Sequence, residues 1–174
     1  MKEQEFLQKK PRYNDEGIWI DEVCIMFKWE KEAIEESIKL ICDKVKPYSV
    51  LELGFGYGYT AEQFQKCGVR KHVIIEPHPE IYKKAVEWAN KRPCKHICVL
   101  NSFWQDVDLP QDEFDLIYFD TFEMVFDDNT SWKTKFKTKW LSEVFLDEPL
   151  GKGFRFKING KEYFQPLVEN GGNN

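Results

Sequence analysis

Gly54, Gly56 and Gly58 recur at every second position directly after the short apolar run VLEL (50–53), and Glu76 ends a second apolar run, HVIIE (72–76), 22 residues after Gly54. Together these residues could hold a nucleotide-like ligand. Glycines let the backbone turn sharply and approach a ligand without Cβ clashes. An acid at the tip of the neighbouring strand can accept both hydroxyls of a ribose. A carboxylate in such a place is costly unless donors pair with it. An ordinary tight turn accounts for the glycines alone, whereas the acid at this spacing favours ligand binding over plain structure. The dinucleotide fingerprint G-x-G-x-x-G is not met, because Tyr59 stands where its third glycine belongs. The chain is also too short for a second mononucleotide half.

The remaining chemistry-bearing residues are more ambiguous. FWQDV (103–107) follows a third apolar run, HICVL (96–100), and its Phe103 and Trp104 either flank a flat ring or belong to the core. Asp120 closes FDLIYFD (114–120), at the carboxyl edge of a fourth strand, where acids are seldom needed for folding. Tyr57 and Tyr59 either cover a ligand or shield the loop. Cys94, His96 and Cys98, with His72, lack the C-x-x-C pairs of structural zinc sites, so no metal site is expected. Cys98 is expected to point into the packing of its strand. No motif sets a histidine beside a cysteine, which leaves a thiol nucleophile unsupported.

The elements that must position these residues are legible from periodicity. Ile34, Ile38, Ile41 and Val45 predict a helix from Trp29 to Lys44, with an acidic start and basic end matching the helix dipole and Pro47 as its stop. A helix after the glycine loop closes at Gly68, and Ile81, Ala85, Trp88 and Ala89 mark another. Strands alternating with helices predict a mostly parallel α/β sheet with right-handed crossovers and helices on both faces. Trp132, Phe136, Trp140 and Val144 share the face of a fourth helix, 131–146, whose lysines (Lys133, Lys135, Lys137, Lys139) read as its solvated side. FRFKI, Asn159-Gly160 and KEYF have the form of a β-hairpin. Residues 1–17 are expected to be a flexible arm, 18–168 a single domain and 169–174 a disordered tail.

Composition excludes several classes. A hydrophobic share of 42% over 174 residues supports one core. The net charge of -5 argues against nucleic acid, whose phosphates demand a basic face, and gives no attraction to anionic membranes. No apolar segment resembles a secretory signal or reaches spanning length. Five cysteines without framework spacing read as reduced thiols, hence a cytoplasmic location. The partner is expected to be a small-molecule substrate; the oligomeric state is open.

Taken in order, IMFKWE (25–30), VLELGFGYG (50–58), HVIIEP (72–77) with SFWQDV (102–107), and FDLIYFDTF (114–122) resemble the guanidinoacetate N-methyltransferase family and its arginine-methylating relatives. Ser131-Trp132 and the helix after them also fit. The resemblance covers roughly residues 18–146. It implies a Rossmann-like class I methyltransferase fold and S-adenosyl-L-methionine as cofactor. The cofactor-binding set it implies is Met26, Glu52, Gly54, Phe55, Gly56, Gly58, Glu76, Ser102, Phe103, Trp104 and Asp120. Met26 and the 54–58 loop would line the methionine end, Glu76 the ribose, and Ser102, Phe103 and Trp104 the adenine. Glu30 and Asp120 would be the catalytic acids that grip a substrate guanidinium.

That chemistry is physically coherent. A guanidinium is planar and always charged near neutral pH, and it pairs with carboxylates through parallel hydrogen bonds. Two acids can fix its plane and accept the proton that leaves, with no metal required. Without the resemblance, Glu30 reads as a helix N-terminal acid favoured by the dipole. The chain departs from the family at Phe119 and Phe122, where tyrosines are usual. If GKGFRFKING is the fifth strand, the family's last strands have no residues left. That implies either a fragment or a shortened, inactive relative serving as a binding module.

Overall fold

The computed structural model describes residues 3–93, 96–108, 114–119, 121, 153–158 and 161–166. Its elements run α1 (Glu3–Gln8), β1 (Arg12–Tyr13), β2 (Gly17–Ile20), β3 (Val23–Phe27), α2 (Glu30–Val45), β4 (Ser49–Leu53), α3 (Tyr59–Lys66), β5 (Lys71–Ile75), α4 (Pro79–Asn90), β6 (His96–Leu100), β7 (Leu116–Phe119), β8 (Gly153–Ile158) and β9 (Lys161–Pro166). A short 3-10 turn, Trp104–Asp106, follows β6.

The central sheet has the order β6-β5-β4-β7, all parallel. β4 is buried along its whole length, which is why after Ser49 it reads as an apolar run broken by Glu52. The sheet belongs to an α/β, Rossmann-like fold, as the strand–helix rhythm predicts.

α2 buries Ile34, Ile38, Ile41 and Cys42. These positions recur every three or four residues, so one stripe faces the sheet. Each such aliphatic side chain removed from water contributes about 1.5–3 kcal/mol. The helix ends where Lys46 turns left-handed, its N–H donating to the Cys42 carbonyl at 2.8 Å, one residue before Pro47. α4 begins with Pro79 at its first turn and His78 as N-cap, whose ring accepts the Glu80 N–H at 3.2 Å. Pro there costs no hydrogen bond.

One carboxylate ties the start of β4 to the start of β7. Asp115 Oδ2 accepts from the backbone N–H groups of Tyr48 (2.9 Å) and Ser49 (3.0 Å) and from the Ser49 hydroxyl (3.1 Å). The Asp115 N–H in turn donates to Ser49 Oγ at 2.9 Å. The register Val50↔Leu116 through Leu53↔Phe119 follows directly.

Three expectations are corrected. The loose arm of residues 1–17 instead contains α1 and β1, with Phe6 buried and Lys9 O accepting from His78 Nε2 at 2.8 Å. Its β1 joins β2 and β3 in an antiparallel sheet that the periodicity did not announce. Cys98 is exposed rather than packed, because β6 ends the order of described strands. Gly153–Ile158 is not a fifth parallel strand; it pairs antiparallel with β9 as the hairpin reading expects. The helix expected over 131–146 and the tail 169–174 lie outside the described residues.

Candidate functional site

β4 ends in a turn that only glycine can make so tightly. Gly56 sits at φ +55, and a Cβ there would lie 2.3 Å from Met26 Sδ. Gly58, at φ +76, is the N-cap of α3, and a Cβ there would strike the Phe55 ring at 2.6 Å. Both conformations cost an ordinary residue about 1–2 kcal/mol. The turn is sewn to its neighbours by main-chain groups: Gly54 N–H donates to the Ile75 carbonyl at 2.8 Å, and Tyr57 N–H to Met26 Sδ at 3.2 Å.

Glu76 lies one residue past β5 and points back at this turn. Its Oε2 accepts from Phe55 N–H and its Oε1 from His78 N–H, both at 2.8 Å. Asn101 donates to the Glu76 and Pro77 carbonyls at 2.9 Å each, which holds the chain's exit from β5. The carboxyl is wholly buried. Burial pushes its pKa from 4.5 up to about 7, against the pull of the N–H groups of Phe55, His78 and Gly56, and the charge of Glu52 adds to the rise. A ligand offering two hydroxyl donors would relieve this carboxylate.

The turn and Glu76 border a cavity of about 290 Å³, near the lower end of ordinary ligand pockets. Of the residues read from sequence, Met26, Glu30, Glu52, Gly54, Phe55, Gly56, Glu76, Phe103 and Trp104 line it. Gly58 and Ser102 are not part of its wall; the Ser102 hydroxyl donates to the Phe103 carbonyl at 3.1 Å. Asp120 lies outside the described residues, although its neighbour Thr121 lines the cavity. Tyr57 and Tyr59 stack on one another, centroids 5.2 Å apart, away from the wall.

Glu30 opens α2, and its Oε2 accepts from Phe27 N–H at 3.4 Å. It therefore serves the helix start and lines the cavity at once. Glu52 is 1% exposed, and its Oε2 meets His72 Nε2 at 2.8 Å. Phe103 and Trp104 are buried, as the core reading expects, and they also line the cavity. Phe119, where the family has tyrosine, packs edge-on to Trp104 at 5.6 Å.

Sequence reasoning missed Phe6, Cys24, Phe27, Thr60 and Tyr118 in the wall. Cys24 and Phe27 belong to β3; alternation from Met26 was an available signal for Cys24, two residues away, but not for its direct neighbour Phe27. Nothing in sequence announces Phe6.

A family model, guanidinoacetate N-methyltransferase, matches residues 5–145. The chain belongs to the guanidinoacetate N-methyltransferase family. Among curated relatives of this methyltransferase family, protein arginine N-methyltransferase 2 of Yarrowia lipolytica is 30% identical over 138 residues, 71% of this chain and 28% of the relative. The protein of the same name from Candida glabrata is 28% identical over 135 residues, 71% of this chain and 32% of the relative. The chain thus spans about a third or less of these relatives. A solved structure, the YcgJ protein of Bacillus subtilis, superposes with a TM-score of 0.41 at 22% identity over 47% of this chain and 36% of that one. No helix among the described residues is long and apolar enough to cross a membrane.

The wall fits the cofactor such a methyltransferase uses. Glu76 sets a buried carboxylate, a hydrogen-bond acceptor, beside the glycine turn, and Phe103 and Trp104 offer ring surface.

Proposed function

We propose that the chain is an S-adenosyl-L-methionine-dependent N-methyltransferase acting on a small guanidino or amino compound of the guanidinoacetate or arginine kind. One observation carries the reading: the glycine turn, Glu76 and Glu30 line a single cavity. A ribose acceptor and a candidate guanidinium acceptor thereby share one space. The arginine in the relatives' names supports the same substrate chemistry.

The cofactor supplies a methyl group activated on a sulfonium sulfur. Glu76 accepts the ribose hydroxyls, while Phe103 and Trp104 face the adenine and exclude water. Glu30 pairs with the guanidinium through its carboxylate oxygens and orients its plane. Asp120, which follows β7 directly in sequence, is the second acid of the pair. As one guanidino nitrogen gains the methyl group it loses a proton, and a carboxylate of this pair accepts it. Holding the nitrogen in line at near-attack distance supplies much of the acceleration.

Calorimetric titration with S-adenosylhomocysteine and transfer of labelled methyl groups to guanidinoacetate and free arginine test this. The wild-type protein and Asp120→Ala bind, Glu76→Ala does not, and Glu30→Gln binds but transfers no label. Equal binding by all four would remove the ribose role of Glu76. Binding without transfer to any amine would leave a catalytically inactive binding module, the alternative reading.

A further inference from the structure

Glu52 is buried on the cavity floor, and the residue that holds it lies outside the cavity wall. His72 is 0% exposed and its Nε2 lies 2.8 Å from Glu52 Oε2. Its other ring nitrogen, Nδ1, meets Gln65 Nε2 at 3.2 Å. The Gln65 amide can only donate there, so Nδ1 accepts and the proton sits on Nε2, donated to Glu52. The ring is further held edge-on by Phe64 at 5.7 Å and by Trp88 at 6.4 Å. Register explains the meeting: Val50 lies opposite His72 and Glu52 opposite Ile74, which puts Glu52 and His72 diagonally on one face of the sheet.

This is an expensive arrangement for packing alone. Two polar side chains are withdrawn from water where apolar residues of similar volume would serve as well or better. It makes sense if the carboxylate must stand in one orientation toward something in the cavity. A floor carboxylate recognises a cation. Glu76, beyond the end of the neighbouring strand, is the acceptor for a sugar, which leaves Glu52 for the charged amino-acid end of the same ligand.

We propose that His72 is a positioning residue for cofactor binding: through Glu52 it orients the carboxylate that receives the ligand's ammonium group. This rests on the cofactor assigned above. Gln65 extends the relay to α3, so the orientation is set by that helix and not by the ligand itself.

The test compares two ligands on the full chain. S-adenosylhomocysteine carries the ammonium group, and 5′-methylthioadenosine has the same nucleoside without the amino-acid end. His72→Phe keeps an aromatic ring among Phe64 and Trp88 but donates nothing. It is expected to weaken S-adenosylhomocysteine about tenfold or more, the worth of a hydrogen bond to a charged group, and to leave 5′-methylthioadenosine within about twofold. His72→Gln, which can still donate, recovers most of the loss. Glu52→Gln repeats the selective loss, and it decides the matter if His72→Phe does not fold. Equal weakening of both ligands, or of neither, by these variants overturns the proposal and leaves His72 a packing residue. Failure of the wild-type protein to bind either ligand would instead overturn the cofactor assignment.

Discussion

A β-carbon on Gly56 would stand 2.3 Å from the sulfur of Met26, so these two residues divide one small space between them. Gly56→Ala is therefore expected to lose about 1–2 kcal/mol for the left-handed backbone and a further ~1–3 kcal/mol for overpacking. Adding Met26→Ala should return the second share and not the first, a coupling readable by urea denaturation of the single and double variants. Gly68→Ala provides the control. Its φ is +85 but nothing lies within 4 Å of the added carbon, so only the backbone share should appear. Additive losses at Gly56 and Met26 would show that the contact carries no energy.

Glu76 gives stability a pH dependence of unusual sign. Its folded-state pKa stands at about 7 against an ordinary 4.5, so the folded protein keeps a proton that the unfolded chain releases. Its contribution is fully present below pH 4.5 and is lost as pH rises to about 7, on the order of 3 kcal/mol in all. Urea denaturation of wild-type and Glu76→Gln proteins at pH 5 and pH 8 should show a gap that changes by that order. A gap independent of pH would mean that Glu76 is ionised throughout.

The same group links ligand affinity to pH. Hydroxyl donors favour the ionised carboxylate, so S-adenosylhomocysteine should bind more tightly as pH rises from 5.5 to 8, approaching tenfold per unit below pH 7 and levelling above it. Binding at pH 6.5 should release about three-quarters of a proton, measurable by calorimetry in buffers of different ionisation enthalpy. Glu76→Gln should release none. Proton uptake on binding would reverse the assignment.

Phe6 anchors α1 to the cavity edge, 5.3 Å from the His78 ring and 6.5 Å from Phe103. Phe6→Ala should release that helix locally. Amide exchange over residues 3–9 is expected to quicken roughly 100-fold, the equivalent of about 3 kcal/mol, with β4 and β5 unchanged. Uniform acceleration across the sheet would show that α1 belongs to the global unfolding unit.

The parallel sheet was legible because β4, β5 and β7 are buried on both faces and its helices carry a stripe of period 3.6. Gly54, Gly56 and Glu76 were legible because a nucleotide turn demands those residue types near that spacing. The β1–β3 sheet was not. Its β2–β3 turn places Asp21, not glycine, at φ 57, so the usual Asn-Gly hairpin signal is missing. α1 is six residues long, too short for periodicity to register. The Glu52–His72 pair depends on strand register, which sequence does not display, and Asp120, expected from sequence as a second acid, falls outside the described residues.

The Asp115 cluster also bears on how quickly the protein forms. It joins β7 to β4 across 66 residues, whereas the glycine turn and Glu76 meet over 21. Long-range closure of this kind slows folding more than it alters equilibrium. Docking of β7 is therefore expected to set the pace of folding. Asp115→Asn should prolong the refolding phase seen by stopped-flow fluorescence far more than it hastens unfolding.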